Sequence, residues 1–239
     1  MFRFKQFSVK KEGAAFKVGT DAVLLGSAAT VTGSEHRVLD AGTGTGIIAL
    51  MLCQRIHAAA GADAQVSILG IDIDKASAIE AAENFAASPW VNKLEAKCLP
   101  LEQLEGGEYD LIVSNPPYFE NSLLNPDAKK RSARHATEEG LSWRSLLAFA
   151  AGHLLANGRL AMILPADIAE KARAASAPEG ICLSRVLSIK TSPNKPATRV
   201  VLEFTKGASE LAEESLTIQE AGAYTPAYLA LTKEFHIFI

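Results

Sequence analysis

The sequence predicts an α/β fold: a doubly wound sheet of about seven strands, mostly parallel, with an antiparallel hairpin near the C-terminus. Three observations carry this expectation. Apolar runs alternate with helical stretches from residue 37 to residue 176, the pattern of repeated crossovers between parallel strands. A glycine-rich turn, Gly42-Thr43-Gly44-Thr45-Gly46, joins the first apolar run to a helix. Two β-branched runs, Ile181–Thr191 and Thr198–Thr205, flank a turn-forming Ser192-Pro193-Asn194-Lys195-Pro196.

Element by element, Thr20–Thr30 reads as an apolar helix with Thr20 or Asp21 as its N-cap. Arg37–Gly42 reads as the first strand, followed by a helix over Ile47–Ile56 and a flexible stretch over His57–Ala64. Ser67–Asp72 is the second strand, with Asp74 capping a helix over Ala76–Ala87, whose Ile79, Ala82 and Phe85 recur near helical spacing. Leu94–Leu99 is a weak third strand and Tyr109–Ser114 a fourth, buried one. The polar, basic stretch Asn121–Gly140 predicts a mobile loop. Ser142–Ala156 reads as a helix ended by Asn157-Gly158. Arg159–Leu164 is the fifth strand, stopped by Pro165, and Ala166–Ser176 a helix. The two β-branched runs follow, then an edge strand at Ser215–Gln219 and a closing helix at Pro226–Phe235.

The chain is 48% hydrophobic and 21% charged, which suits one domain over residues 1–239 with a short basic extension at about 1–19. Its net charge of −3 excludes a protein coated in basic residues. Charge is nonetheless local. Arg3, Lys5, Lys10, Lys11 and Lys17 crowd the N-terminus, and Lys129, Lys130, Arg131, Arg134 and His135 form a second cluster. A looser set is Lys190, Lys195, Arg199 and Lys206. Such patches suit phosphate contacts. Cys53, Cys98 and Cys182 have no metal-ligand spacing; Cys53 and Cys98 lie in apolar runs and read as small hydrophobes. No signal peptide or membrane-length apolar run is apparent, so a reducing cytoplasm is the expected compartment.

The chemistry concentrates at the strand ends. Asp40 and the glycines Gly42, Gly44 and Gly46 follow strand one, where bare backbone and a helix N-terminus allow close approach of a ligand. The spacing G-x-G-x-G differs from the dinucleotide fingerprint G-x-G-x-x-G. Asp72 ends strand two, where an acid can accept hydrogen bonds from ribose hydroxyls. Asn115-Pro116-Pro117-Tyr118 follows strand four. Two prolines can neither extend a ladder nor sit inside a helix, so a stiff loop presents an amide, carbonyls and an aromatic ring. These groups suit an exocyclic amine on a planar base.

In this order, the glycine loop, the strand-two acid and Asn-Pro-Pro-Tyr resemble the Rossmann-like class I methyltransferases that use S-adenosylmethionine. The resemblance implies that Gly42, Gly44 and Gly46 line the methionine portion, that Asp40 orders the loop and helps hold the amino group, and that Asp72 takes the ribose. Asn-Pro-Pro-Tyr marks the branch that methylates nitrogen in adenine, cytosine or a glutamine amide. Phe4-Lys5-Gln6-Phe7, Lys17–Leu25, Glu83-Asn84-Phe85, Ser88-Pro89-Trp90, Arg134-His135, Lys195–Arg199 and Tyr228–Phe238 narrow it, resembling the bacterial tRNA1(Val) adenine-N6 methyltransferase family. That likeness implies catalysis by Asn115, Pro116, Pro117 and Tyr118, and a cofactor covered by Lys17, Thr20 and Asp21, with Asn115 beside it. It places Tyr118 and Phe119 beside the base. Lys129, Lys130, Arg131, Arg134 and His135 are expected to hold RNA. It implies S-adenosylmethionine as cofactor, no metal, a tRNA partner, adenine 37 as target, and a monomer by default. One departure is that Glu95-Ala96-Lys97-Cys98-Leu99-Pro100, after strand three, offers no obvious carboxylate at the place where the wider family contacts the cofactor adenine.

Two other readings stay open on sequence alone. A release-factor glutamine methyltransferase would share Asn-Pro-Pro-Tyr, but only 39 residues precede Asp40, too few for the helical domain such enzymes carry. A non-catalytic cofactor- and RNA-binding module would not be expected to keep Asn115–Tyr118 intact.

Overall fold

The computed structural model describes residues 1–10, 19–61, 64–118, 140–207 and 209–235. The expected loop 121–140 lies outside them except for Gly140, as does the 62–63 part of the stretch expected to be flexible.

The strands of the main sheet are β3 (Arg37–Ala41), β4 (Ser67–Asp72), β5 (Leu94–Cys98), β6 (Tyr109–Ser114), β7 (Leu154–Pro165), β8 (Cys182–Lys190), β9 (Ala197–Thr205) and β10 (Ala212–Thr217). Their spatial order is β10-β8-β9-β7-β6-β3-β4-β5. The β3, β4, β5, β6 and β7 strands pair in parallel, and β10 pairs in parallel with β8. Only β9 runs against its neighbours, inserted between β7 and β8. This is the mostly parallel sheet with a C-terminal hairpin that the sequence predicts, with eight strands rather than about seven.

Alternation along each strand divides the core into two layers. Val38, Leu111, Val113, Ala161 and Ile163 pack with helices α1 (Thr20–Ala28) and α2 (Ile47–Ala60). Leu39, Ile112, Leu160, Met162 and Leu164 pack with α4 (Trp143–His153) and α5 (Ala166–Ser176). Strands covered on both faces read as near-continuous apolar runs, as Leu111-Ile112-Val113 does.

Several boundaries differ from expectation. Gly19, not Thr20 or Asp21, caps α1, with no side-chain bond, and Thr20 is its first residue. Asp74 does cap α3 (Lys75–Ala86), its carboxylate accepting from Ser77 N at 2.8 Å. The buried face of α3 is Ala78, Ala81 and Phe85 with Ser77 and Asn84, while Ile79 is exposed. The α2 helix continues to Ala60 through residues expected to be flexible. The helix expected over Ser142–Ala156 ends at His153, because Leu154 already pairs with Tyr109 of β6. Asn157 and Gly158 then fall in the irregular start of β7, where the register shifts before Arg159 meets Leu111. Cys53 is buried as expected, but Cys98 is exposed.

The N-terminal extension is anchored by aromatic packing. Strands β1 (Phe2–Arg3) and β2 (Ser8–Val9) pair, and Phe4, Phe7 and Val9 are buried. Phe4 stacks on Phe7, which meets Trp90 edge-on with centroids 6.1 Å apart. At the other end of the chain, β11 (Gln219–Glu220) and β12 (Ala223–Tyr224) form a small hairpin before α6 (Pro226–Thr232).

Candidate active site

The carboxyl ends of β3, β4 and β6 meet at one edge of the sheet, where ligands bind in open α/β folds. Ala41 and Ser114 are register partners, and Ser114 Oγ donates to Ala41 O at 2.7 Å. Gly42 and Asn115 therefore leave the sheet side by side.

The glycine loop has positive φ at Gly42, Gly44 and Gly46 (73°, 55° and 79°), a region L side chains resist. Gly42 N and Thr43 N both donate to Ile71 O at 2.9 Å, strapping the loop to β4. A Cβ on Gly44 would meet nothing within 4 Å, whereas one on Gly46 would overlap the Phe85 ring. The Asn84 side chain donates to Thr45 O at 2.8 Å and accepts from Lys10 N at 2.8 Å, tying the N-terminal segment to this loop. Gly70 leaves room for Thr43, since a Cβ there would lie 2.7 Å from Thr43 Oγ1.

Asp40 is fully buried. Its Oδ2 accepts from Thr43 Oγ1 at 2.7 Å and Ala49 N at 3.2 Å, while its Oδ1 is buried with no partner. Burial pushes its pKa up to about 7, against the two hydrogen bonds and with help from the nearby Asp72 charge. Asp72 accepts from Gly44 N on one oxygen and Asp74 N on the other, both at 2.9 Å. Burial raises its pKa, with those two amides opposing. Each Asp72 oxygen keeps a lone pair for a further donor. An unpaired buried carboxylate oxygen, open space over Gly44 and a second acid fit a ligand with an amino group and a polyol.

On the other side, Pro116 is buried, Pro117 exposed, and Asn115 and Tyr118 half-buried. The Tyr118 hydroxyl lies against Asn115 Oδ1 and 3.1 Å from Asp21 Oδ2, so its single proton serves one or the other. Burial first, then the Asp21 charge, raise the Tyr118 pKa and keep the phenol protonated. Arg199 Nε donates to Asp21 Oδ2 at 2.8 Å, and its guanidinium carbon lies 5.6 Å from the Tyr118 ring centroid. Burial disfavours the charged guanidinium, but contact with Asp21 outweighs it and raises the Arg199 pKa.

The structure thus brings Asp21, Asp40, Gly42, Gly44, Gly46, Asp72, Asn115, Pro116, Pro117 and Tyr118 to one edge, with Thr20 exposed at the start of α1. Lys17, Phe119, Lys129, Lys130, Arg131, Arg134 and His135 lie outside the described residues. From sequence, Asn84 has no role at the site and Arg199 only a place in a loose basic set suited to phosphates. Both sit in segments singled out for resemblance, Lys195–Arg199 and Glu83-Asn84-Phe85, which was the available signal.

Comparison with known proteins agrees with this geometry. The methyltransferase small domain family matches residues 14–173. The chain is 39% identical to the tRNA1(Val) (adenine(37)-N6)-methyltransferase of Bacteroides fragilis, over 99% of this chain and 97% of that one. It is 38% identical to the enzyme of the same name from Tolumonas auensis, over 99% and 96%. Among solved structures, a protein of Agrobacterium tumefaciens described as a predicted O-methyltransferase superposes with a TM-score of 0.62 at 15% identity, covering 90% of this chain and 96% of that one. That likeness concerns the fold. With full-length similarity at this level, and the glycine loop, strand-end acids and Asn-Pro-Pro-Tyr gathered at one edge, the chain belongs to the tRNA1(Val) (adenine(37)-N6)-methyltransferase family.

Proposed function

We propose that this protein transfers a methyl group from S-adenosylmethionine to the exocyclic N6 of adenine 37 in tRNA1(Val). The observation that carries the reading is the placement of Asn115 beside the glycine loop, with its amide oxygen against the Tyr118 hydroxyl. S-adenosylmethionine supplies an electrophilic methyl group and leaves as S-adenosylhomocysteine.

The chain's own residues do the rest. Asp40 Oδ1 takes the cofactor's amino group, Asp72 the ribose hydroxyls, and Gly42, Gly44 and Gly46 admit the cofactor against bare backbone. Lys17, Thr20 and Asp21 close over it. The adenine N6 lone pair is delocalised into the ring and is a weak nucleophile. Asn115 Oδ1 and the Pro116 carbonyl accept hydrogen bonds from the two N6–H groups, favouring a pyramidal nitrogen whose lone pair leaves conjugation and aims at the methyl group; the methylated nitrogen then loses one proton to solvent. An amide oxygen has two lone pairs, so Asn115 holds the Tyr118 hydroxyl and an N6 proton together. The target base, turned out of its stack, lies on the part of the Tyr118 ring that Arg199 leaves open, with Phe119 beside it. Lys129, Lys130, Arg131, Arg134 and His135 hold phosphates. Rate comes from alignment of amine and methyl group, without a general-base histidine.

The test is methyl transfer from radiolabelled S-adenosylmethionine to unmodified valine tRNA, with the nucleosides resolved afterwards. N6-methyladenosine is expected, and Asn115→Ala should lower the rate at least about 100-fold. Labelling of a release factor instead of tRNA would overturn the RNA reading.

A further inference from the structure

A cavity of about 370 Å³ lies at the same edge of the sheet, on the far side of Asp21 and Arg199 from Tyr118. Its walls include Thr20, Asp21, Thr191, Arg199, Gln219 and Tyr224. Two of these, Asp21 and Arg199, also contact Tyr118, so one ion pair separates the loop from the cavity. The volume lies at the small end for ligand sites and suits one nucleotide rather than a folded partner.

We propose that this cavity is a subsite for a nucleotide next to the target adenine in the RNA; the inference rests on the RNA reading above. Tyr224 is 49% exposed, and its ring is stacked on Tyr228 with centroids 4.8 Å apart and planes 28° from parallel. A tyrosine backed by a second ring is a rigid stacking platform, and base stacking on such rings carries single-strand binding. Arg199 lines the cavity, and Lys190 and Lys195 stand on the same edge, at the end of β8 and in the turn before β9. With Arg199 paired to Asp21, Lys190 and Lys195 supply the positive charge for a phosphate on a chain whose net charge is −3. The acids here are Asp21, already paired with Arg199, and Glu220 in the hairpin. Thr191, Thr198 and Gln219 offer donors and acceptors to a base edge.

The backbone under Tyr224 is strained. Ala221 has φ 49°, the one non-glycine residue with positive φ among the described residues, and Gly222 follows at 82°. Together they make the tight turn that pairs Gln219 with Tyr224 and aims both at the cavity. Gln219 N donates to Thr191 O at 3.1 Å and Thr225 N to Ile218 O at 3.0 Å, locking the hairpin to the end of β8. The hairpin turn sets the exposed Tyr224 ring at the wall of the cavity.

The experiment uses the full chain and an anticodon stem-loop carrying 2-aminopurine on either side of the target adenine. Wild-type protein should quench the fluorophore at one flanking position. Tyr224→Ala should abolish the quenching and weaken RNA binding about tenfold, whereas Tyr224→Phe, which keeps the ring, should retain both. Unchanged S-adenosylhomocysteine affinity shows that the alanine variant is folded. No quenching at either position, or equal RNA affinity for wild type and Tyr224→Ala, overturns the subsite alone. A wild-type protein that methylates no RNA overturns the RNA reading and the subsite with it.

Discussion

Lowering the pH from 8 to 6 should weaken cofactor binding about tenfold through Asp40 alone. Its carboxyl is fully buried, and burial pushes its pKa up to about 7. The unpartnered Oδ1 is the atom proposed to take the cofactor's ammonium group, and only the ionised carboxylate attracts it strongly. Protonation then competes with binding, so the apparent Kd scales as one plus the ratio of protonated to ionised Asp40. That factor is about 2 at pH 7 and about 11 at pH 6, and it falls to about 1 above pH 8. At pH 6, binding should release about 0.9 proton per site, because the ammonium group holds Asp40 ionised. Calorimetric titration with S-adenosylhomocysteine between pH 5.5 and 8.5, in buffers of different ionisation enthalpy, measures both quantities. The control ligand is 5′-methylthioadenosine, which keeps the ribose but lacks the amino group. Asp72, whose pKa is also raised, contributes equally to both ligands, so their difference isolates Asp40. Asp40→Asn should flatten that difference. Parallel pH profiles for the two ligands would refute the assignment of Oδ1 to the amino group.

Two further perturbations test the scaffold under the site. Gly46→Ala combines φ 79° with a Cβ overlapping the Phe85 ring, whose Cζ would lie 2.9 Å away. It should cost more than about 2 kcal/mol and abolish S-adenosylhomocysteine binding; a wild-type urea midpoint would contradict this. Glu203, 2% exposed, takes Arg185 Nη1 at 2.7 Å and both the amide and hydroxyl of Thr30 at 3.0 Å on one oxygen. Glu203→Gln should therefore cost about 3 kcal/mol. Glu214→Ala, which removes an exposed carboxylate from the same Arg185, should cost less than about 1 kcal/mol. Equal urea midpoints for the two variants would refute the weight given to burial.

What the sequence determined by itself was local. The three glycines, the strand end at Asn115-Pro116-Pro117 and the Asp74 cap were readable because each obeys a rule of its immediate neighbourhood. Glycine alone tolerates the positive φ of the turn, proline ends the ladder after Ser114, and Asp74 reaches its own Ser77 amide. The apolar runs of β3, β4 and β6 were legible because strands covered on both faces carry no competing polar pattern. Tertiary structure decided what depends on distant partners. Leu154–Ala156 has helical composition, yet pairing of Leu154 with Tyr109 draws it into β7. Ile79 fits a helical stripe, but the sheet lies toward Ala78, Ala81 and Phe85. The contact between Asp21 and Arg199 spans 178 residues. It exists because β9, reversed between β7 and β8, brings its first residues to the edge where α1 begins. Turns, caps and strand ends are set over a few residues and can be read from them. The ion pair beside Tyr118 and the cavity behind it arise where chain segments converge, and only packing settles which segments those are.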